Sequence, residues 1–226
     1  AYADNGKAVR LRYRYLADRG TPLLLAAGIG QQIEDWPRDL IDGLVKAGYR
    51  PLAYDGRDAG CSTHFTASGP IDWAAFFGAL ATGSKPATPY SLDDMAGDMK
   101  AVLDAARVKK AQVVGVSGGA TAALRFAAMA PSRVGGLVLV AANSGNPAHP
   151  LPADPARLAT VPPPPPKGSA ADAVIAYRIA SATVLEGDEV RRSPTEIEQA
   201  ALGTDQILQF RDRHSQDSVP ASASMR

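Results

Sequence analysis

Five residues near the middle of the chain, Gly115-Val116-Ser117-Gly118-Gly119, have the spacing that a serine nucleophile requires. Val113-Val114 before them reads as the end of a buried strand, and Ala120 to Met129 after them reads as a helix. A serine on the sharp turn between such a strand and helix presents its hydroxyl at the end of the sheet. The flanking glycines serve the turn, because its backbone is strained and strand and helix approach too closely for a bulky Cβ. The chemistry is acyl transfer, in which the hydroxyl attacks a carbonyl carbon and an acyl-enzyme forms. The developing oxyanion needs N–H donors. Gly118 N–H, directly after the serine at the positive end of the helix, is one expected donor. The second is expected from the loop Gly28-Ile29-Gly30-Gln31-Gln32, with Ile29 N–H as the candidate.

Such a serine works with a histidine base and an acid that orients it. The chain has three histidines. His64 follows the loop Asp55–Thr63, on the side of the sheet where Ser117 is expected. His214 lies close to the C-terminal end and could fold over the serine, whereas His149 sits in a Pro-Ala-His-Pro connector. Asp55 and Asp58 read as braces of their own loop through Arg57, and Cys61 as a small packed residue. Base and acid therefore stay unassigned. No grouping has metal-ligand spacing, and neither a metal nor a cofactor is expected.

Composition narrows the partners. A net charge of +1 points to neither nucleic acid nor an anionic membrane surface. A single cysteine excludes an internal disulfide and a multi-cysteine zinc site. No apolar run is long enough to span a bilayer and no signal peptide is visible, so the cytoplasm is the expected compartment. The Gly28 loop lacks both the phosphate-loop Gly-Lys-Ser/Thr and a full Gly-x-Gly-x-x-Gly, which argues against nucleotide binding.

The elements that must position these residues follow from patterning. Val9–Tyr15 alternates apolar and polar residues, as a half-buried strand does. Pro22–Ala27 is a continuous apolar run ending at Gly28, the signature of a central buried strand. Ile33–Ala47 carries Leu40, Ile41, Leu44 and Val45 at helical spacing, and Gly48 sits where a left-handed residue closes a helix. Arg50–Tyr54 is the next strand. Ser91-Leu-Asp-Asp94 has the form of a capping box and opens a helix with Met95, Met99, Val102 and Leu103 inward. Gln112–Val116 and Leu137–Ala141 are strands on either side of the serine's helix. Strands alternating with helices predict an α/β fold with a mostly parallel sheet covered on both faces. After Ala142 proline, alanine and glycine dominate, and Pro162–Pro166 is a stiff, extended run. Helical patches resume near 170–185 and 194–212. The expected organisation is a core over 1–142, then a proline-rich connector and helical lid over 143–226.

These residues resemble the α/β-hydrolase superfamily, and within it the bacterial esterase branch that includes aclacinomycin-type polyketide methylesterases. Gly28-Ile-Gly-Gln with Trp36 resembles that branch's oxyanion loop, and Tyr54-Asp-Gly-Arg-Asp-Ala-Gly-Cys-Ser-Thr63 its Asp-x-Arg-x-x-Gly-x-Ser-Thr loop. Pro89-Tyr-Ser-Leu-Asp-Asp-Met-Ala-Gly-Asp98 is the most specific match, and Arg133-Val, Leu137-Val-Leu and Arg211-Asp-Arg213 continue it. The resemblance implies a serine hydrolase with Ser117 as nucleophile, acting on a small or medium carboxylic ester such as an aromatic polyketide methyl ester. Two departures stand out. The branch usually has Met where this chain has Gly118, which keeps the N–H and is expected to loosen packing. The family also continues past the lid with two strands, followed by the catalytic Asp and His, and this sequence lacks both. The chain is thus expected to be C-terminally truncated, or completed by a missing segment or a second chain that covers the open sheet edge. Two other readings stay open: a non-catalytic binding protein that keeps the turn as scaffold, and a cofactor-free haloperoxidase or C–C hydrolase.

Overall fold

The computed structural model describes residues 1–65 and 82–142 continuously, with separate positions between 75 and 79 and between 160 and 181. The chain divides into two compact units, Ala1–Pro150 and Leu151–Arg226. The first unit carries the sheet. Its strands are β1 (Tyr2–Asp4), β2 (Arg10–Tyr15), β3 (Thr21–Ala26), β4 (Tyr49–Tyr54), β5 (Ala111–Val116) and β6 (Val134–Val140), in the spatial order β1-β2-β4-β3-β5-β6. β4, β3, β5 and β6 run parallel, whereas β1 and β2 are antiparallel additions at one edge. Among the described residues, helices α1 (Arg38–Lys46), α2 (Leu92–Ala105) and α3 (Gly118–Met129) connect them.

Alternation along the strands assigns the two faces. Leu24 is in register with Leu52 and Val113. These side chains meet Met99, Val102 and Leu103 of α2 and Phe126 of α3 in the larger core. Leu25 is in register with Ala53 and Val114, and this face packs with Leu23, Ile33, Ile41 and Leu44 beside α1. Burial on both faces is why β3 reads as an unbroken apolar run.

The expected helix over Ile33–Ala47 is divided in two. Ile33–Asp35 forms a turn of 3₁₀ helix, and α1 starts only at Arg38. Pro37 explains the break, because its ring pushes the preceding residue out of the helical region, and Trp36 is extended at ψ 125°. Leu40 and Val45 are exposed, leaving Ile41 and Leu44 as a half-buried stripe. Gly48 closes the helix at φ +86°, its N–H donating to the Val45 carbonyl. The short strand β1 has no signal of its own in the sequence. The helical patches expected beyond residue 181 lie outside the described residues.

Helix α2 has the reciprocal cap its sequence implies. Ser91 Oγ accepts the Asp94 N–H, and Asp94 Oδ2 accepts the Ser91 N–H at 3.0 Å. Lys7 Nζ lies 3.0 Å from Asp94 Oδ1. The Ser91 N–H, then Lys7, hold the Asp94 carboxyl well below the usual carboxylate range. A depressed carboxyl stabilises the fold above its unfolded value, and that stability is lost as pH falls through the folded value. Asp94→Asn should therefore lower stability at pH 7 by about 0.5–1 kcal/mol. Denaturant titrations should show the difference shrinking below about pH 4. A gap that stays constant down to low pH would contradict this account.

Candidate active site

Strand β5 ends at Val116 and α3 begins at Gly118, so Ser117 alone makes the turn. Its backbone sits at φ 53°, ψ −122°, a region that non-glycine residues rarely adopt. Both of its backbone polar groups are committed. The N–H donates to the Val140 carbonyl at 2.9 Å, and the carbonyl accepts from Ala120 and Thr121 N–H at 2.9 and 3.1 Å. Strain of this kind amounts to about 1–3 kcal/mol and persists only where the surroundings over-determine it. Here the surroundings are backbone. A Cβ at position 115 would lie 2.6 Å from Ala120 Cα, and one at position 119 would overlap the carbonyl oxygens of Ala26 and Ala27. Ser117 itself is exposed. Among the described residues its hydroxyl has no hydrogen-bond partner.

The Gly28–Gln32 loop follows β3 and lies against this turn. Residues 28–31 close a tight turn, with Gln31 N–H donating to the Gly28 carbonyl at 3.1 Å and Gly30 at φ +74°. A Cβ at Gly28 would come within 3.4 Å of Ser117 Cβ. A Cβ at Gly118 would come within 3.6 Å of Ile29 N and 2.6 Å of Ile29 Cγ1. The structure therefore brings Ser117, Gly118 and Ile29 together. Neither Ile29 N–H nor Gly118 N–H is committed to a loop or side-chain acceptor among the described residues. The loosened packing expected at Gly118 is not what is found, because the Ile29 side chain takes the space a side chain there would need. Ile29 is otherwise 87% exposed.

Beneath the loop lies a carboxylate. Asp55 is fully buried. Its Oδ1 accepts the Ile33 N–H at 2.8 Å, its Oδ2 accepts the Cys61 N–H at 3.0 Å, and Arg12 Nη1 lies 3.4 Å away. Arg12 also pairs with Glu34. Burial pushes the Asp55 carboxyl up, and the Cys61 and Ile33 N–H groups and Arg12 pull it back. Position 60 must be glycine, since a Cβ there would overlap the Asp55 carboxylate. Asp55 thus ties the end of the Gly28–Gln32 loop to the loop after β4. The sequence expectation that Asp55 and Asp58 use Arg57 is overturned. Arg57 forms a two-pronged pair with Asp98 of α2, at 2.6 and 2.9 Å, and both side chains are about 95% or more buried. Asn5 Nδ2 also donates to Asp98. Asp58 instead accepts the Phe65 N–H at 2.6 Å.

His64 is exposed, and its Nε2 hydrogen-bonds the Gly60 carbonyl at 3.0 Å within its own loop. His149 and His214 lie outside the described residues. Among the described residues no group of histidine, cysteine and carboxylate side chains could hold a metal ion, and no helix is long and apolar enough to cross a membrane.

Residues 21–167 match the family described as the alpha/beta hydrolase fold. The chain belongs to this family. The fold and the resemblance expected from the sequence are thereby borne out. Over 113 residues the chain is 36% identical to rhodomycin D methylesterase DnrP of Streptomyces peucetius, a match covering 50% of this chain and 32% of that protein. Over 140 residues it is 34% identical to the putative carbamate hydrolase RutD of Variovorax paradoxus (strain S110), covering 62% and 45% respectively. Epoxide hydrolase A from Mycobacterium thermoresistibile aligns with a TM-score of 0.46 at 27% identity, covering 62% of this chain and 37% of that one. The matched part spans less than half the length of either curated relative.

Sequence reasoning found the serine and the glycine-rich loop and missed the Asp55–Arg12–Glu34 network beneath them. The available signal was the pairing of Asp55 with Gly60 directly after a buried strand. Removing the carboxylate leaves the Ile33 and Cys61 N–H groups without their acceptor, while Arg12 keeps its pair with Glu34. Asp55→Ala should therefore lower unfolding free energy by about 2–4 kcal/mol in a urea titration. A loss under 1 kcal/mol would mean the network is incidental. Gly118→Met should destabilise by about 1–3 kcal/mol by overpacking against Ile29. Thermal melts should show Ile29→Ala recovering most of that loss in the same chain, whereas simple additivity would mean another contact requires the glycine.

Proposed function

We propose that this chain is a serine hydrolase acting on carboxylic esters through an acyl-enzyme on Ser117. The observation that carries this reading is the exposed serine in a strained turn with an uncommitted N–H on either side of it, from Ile29 and Gly118. A scaffold turn has no need of a non-glycine residue at that φ, ψ. In the proposed reaction Ser117 Oγ attacks the ester carbonyl carbon and gives up its proton. The negative oxygen of the tetrahedral adduct is held by the two N–H groups. The carbon–alkoxy bond breaks, the alcohol departs with a proton, and water then attacks the acyl-enzyme to release the carboxylic acid and restore the serine.

The proton carrier would be a histidine. His64 is engaged with Gly60, and the base stays unassigned. The acid is unassigned. Residues 143–226 would form a proline-rich connector and lid, and residues 1–142 the core. The resemblance to polyketide methylesterases, together with the methylesterase relative, favours the methyl ester of an aromatic polyketide as substrate. A second reading, a binding protein that keeps the turn, is favoured by one observation: among the described residues no histidine or carboxylate bonds to the Ser117 hydroxyl.

A fluorophosphonate probe read by intact mass separates the two. The esterase reading expects one adduct on the wild-type chain and none on Ser117→Ala. Removing the nucleophile should lower ester turnover by about 10⁶-fold. A wild-type chain that stays unmodified would favour the binding protein.

A further inference from the structure

We infer that Gln31 is a positioning residue for the Ile29 N–H, an inference that rests on the acyl-transfer reading above. Gln31 grips Gly28 on both sides. Its backbone N–H donates to the Gly28 carbonyl at 3.1 Å, and its side-chain Oε1 accepts the Gly28 N–H at 2.7 Å. A backbone N–H can only donate, so the oxygen of the Gln31 amide, not its nitrogen, faces Gly28. The Gly28 carbonyl and the Ile29 N–H belong to one planar trans peptide unit and point in opposite directions. Holding the carbonyl and the preceding N–H leaves the Ile29 N–H one direction in which to point.

The layering places this grip at the nucleophile. On the side where Gly28 would carry a Cβ, the Gln31 Oε1 lies 2.7 Å away and Ser117 Cβ 3.4 Å away. The amide of Gln31 and the side chain of Ser117 therefore border the same small space. Glycine at 28 is what lets both occupy it. Gln31 is exposed, and its side chain makes no other hydrogen bond among the described residues. Its loss should leave the core intact and free one peptide unit to rotate.

Removing an oxyanion donor lowers turnover by about 10²–10³-fold, and misplacing one by about 1 Å can cost up to about 10²-fold. Loosening should fall near the lower end, about tenfold. The test is the saturation kinetics of fluorophosphonate labelling on the purified chain, with melting temperature and amide hydrogen exchange at Gly28 measured alongside. Gln31→Leu should lower the maximal labelling rate about tenfold, leave the half-saturating probe concentration and the melting temperature unchanged, and speed exchange at Gly28. Gly28→Ala displaces the Gln31 amide from the opposite side and should slow labelling by a similar factor. The double variant should then be no slower than either single one. Wild-type labelling kinetics in Gln31→Leu would overturn the positioning role alone. So would a slowing that comes with a lower melting temperature or with weaker probe binding. A wild-type chain that is not labelled overturns the acyl-transfer reading, and this inference falls with it.

Discussion

Helix α3 can begin where it does only because two strands leave room for backbone and nothing more. Gly115 lies against Ala120 Cα, and Gly119 lies against the carbonyl oxygens of Ala26 and Ala27. Either contact would be lost with a single methyl group. This close approach forces the chain from strand to helix within one residue, so Ser117 takes the strained conformation. The same approach places the end of β3, and hence the Gly28 loop, beside the serine. Candidate nucleophile and candidate oxyanion donors are therefore consequences of one packing constraint. Burial of Leu24, Leu25 and Phe126 on the two faces of the sheet supplies the stabilisation that holds the turn in place.

A loop that is to hold donors beside Ser117 must be rigid, yet it cannot be buried. The chain meets this by anchoring its surface loops to buried charge. Asp55 holds Ile33 N–H and Cys61 N–H, and Asp98 holds Arg57. Buried carboxylates are weak contributors to net stability, because desolvation offsets most of the attraction. Their value here is geometric, since each accepts from groups in more than one segment. Tyr90 packs its ring 5.3 Å from the Arg57 guanidinium, and burial followed by a hydrogen bond with Asp58 pushes its hydroxyl up to about 12. It stays a neutral donor across the physiological range, so the contact is insensitive to pH there.

The sequence made the layers legible because periodicity reports burial. The apolar run of β3, the alternation of β2 and the capping box of α2 each express a local rule that the structure obeys. The division of the Ile33–Ala47 segment was legible too, in Pro37, but helical spacing around Leu40 and Val45 masks it. Long-range pairings were not. Arg57 is two residues from Asp55 and one from Asp58 in the chain, yet it pairs with Asp98, forty-one residues away. Local proximity favours the near partners. Tertiary geometry decides otherwise, because Asp98 sits on the inward face of α2 where an uncompensated carboxylate would be far more costly than at the exposed Asp58.

The exchange between positions 29 and 118 shows how the site departs from the pattern it resembles. A side chain at the first position of α3 would wall Ser117 from the helix side. Here glycine removes that wall, and Ile29 replaces it from the loop side. A wall on a helix is fixed by the helix, whereas a wall on a loop is only as rigid as the turn that carries it. The Gly28–Gln31 turn, closed by two hydrogen bonds and anchored by Asp55 at Ile33, has the bracing such a wall needs. The same turn carries the Ile29 N–H. Placing the apolar contact and the polar donor on one residue couples them: a substrate group that displaces the Ile29 side chain also disturbs the donor. Selectivity at this site would then act on rate as well as on binding, because a group that does not fit weakens the hold on the developing charge.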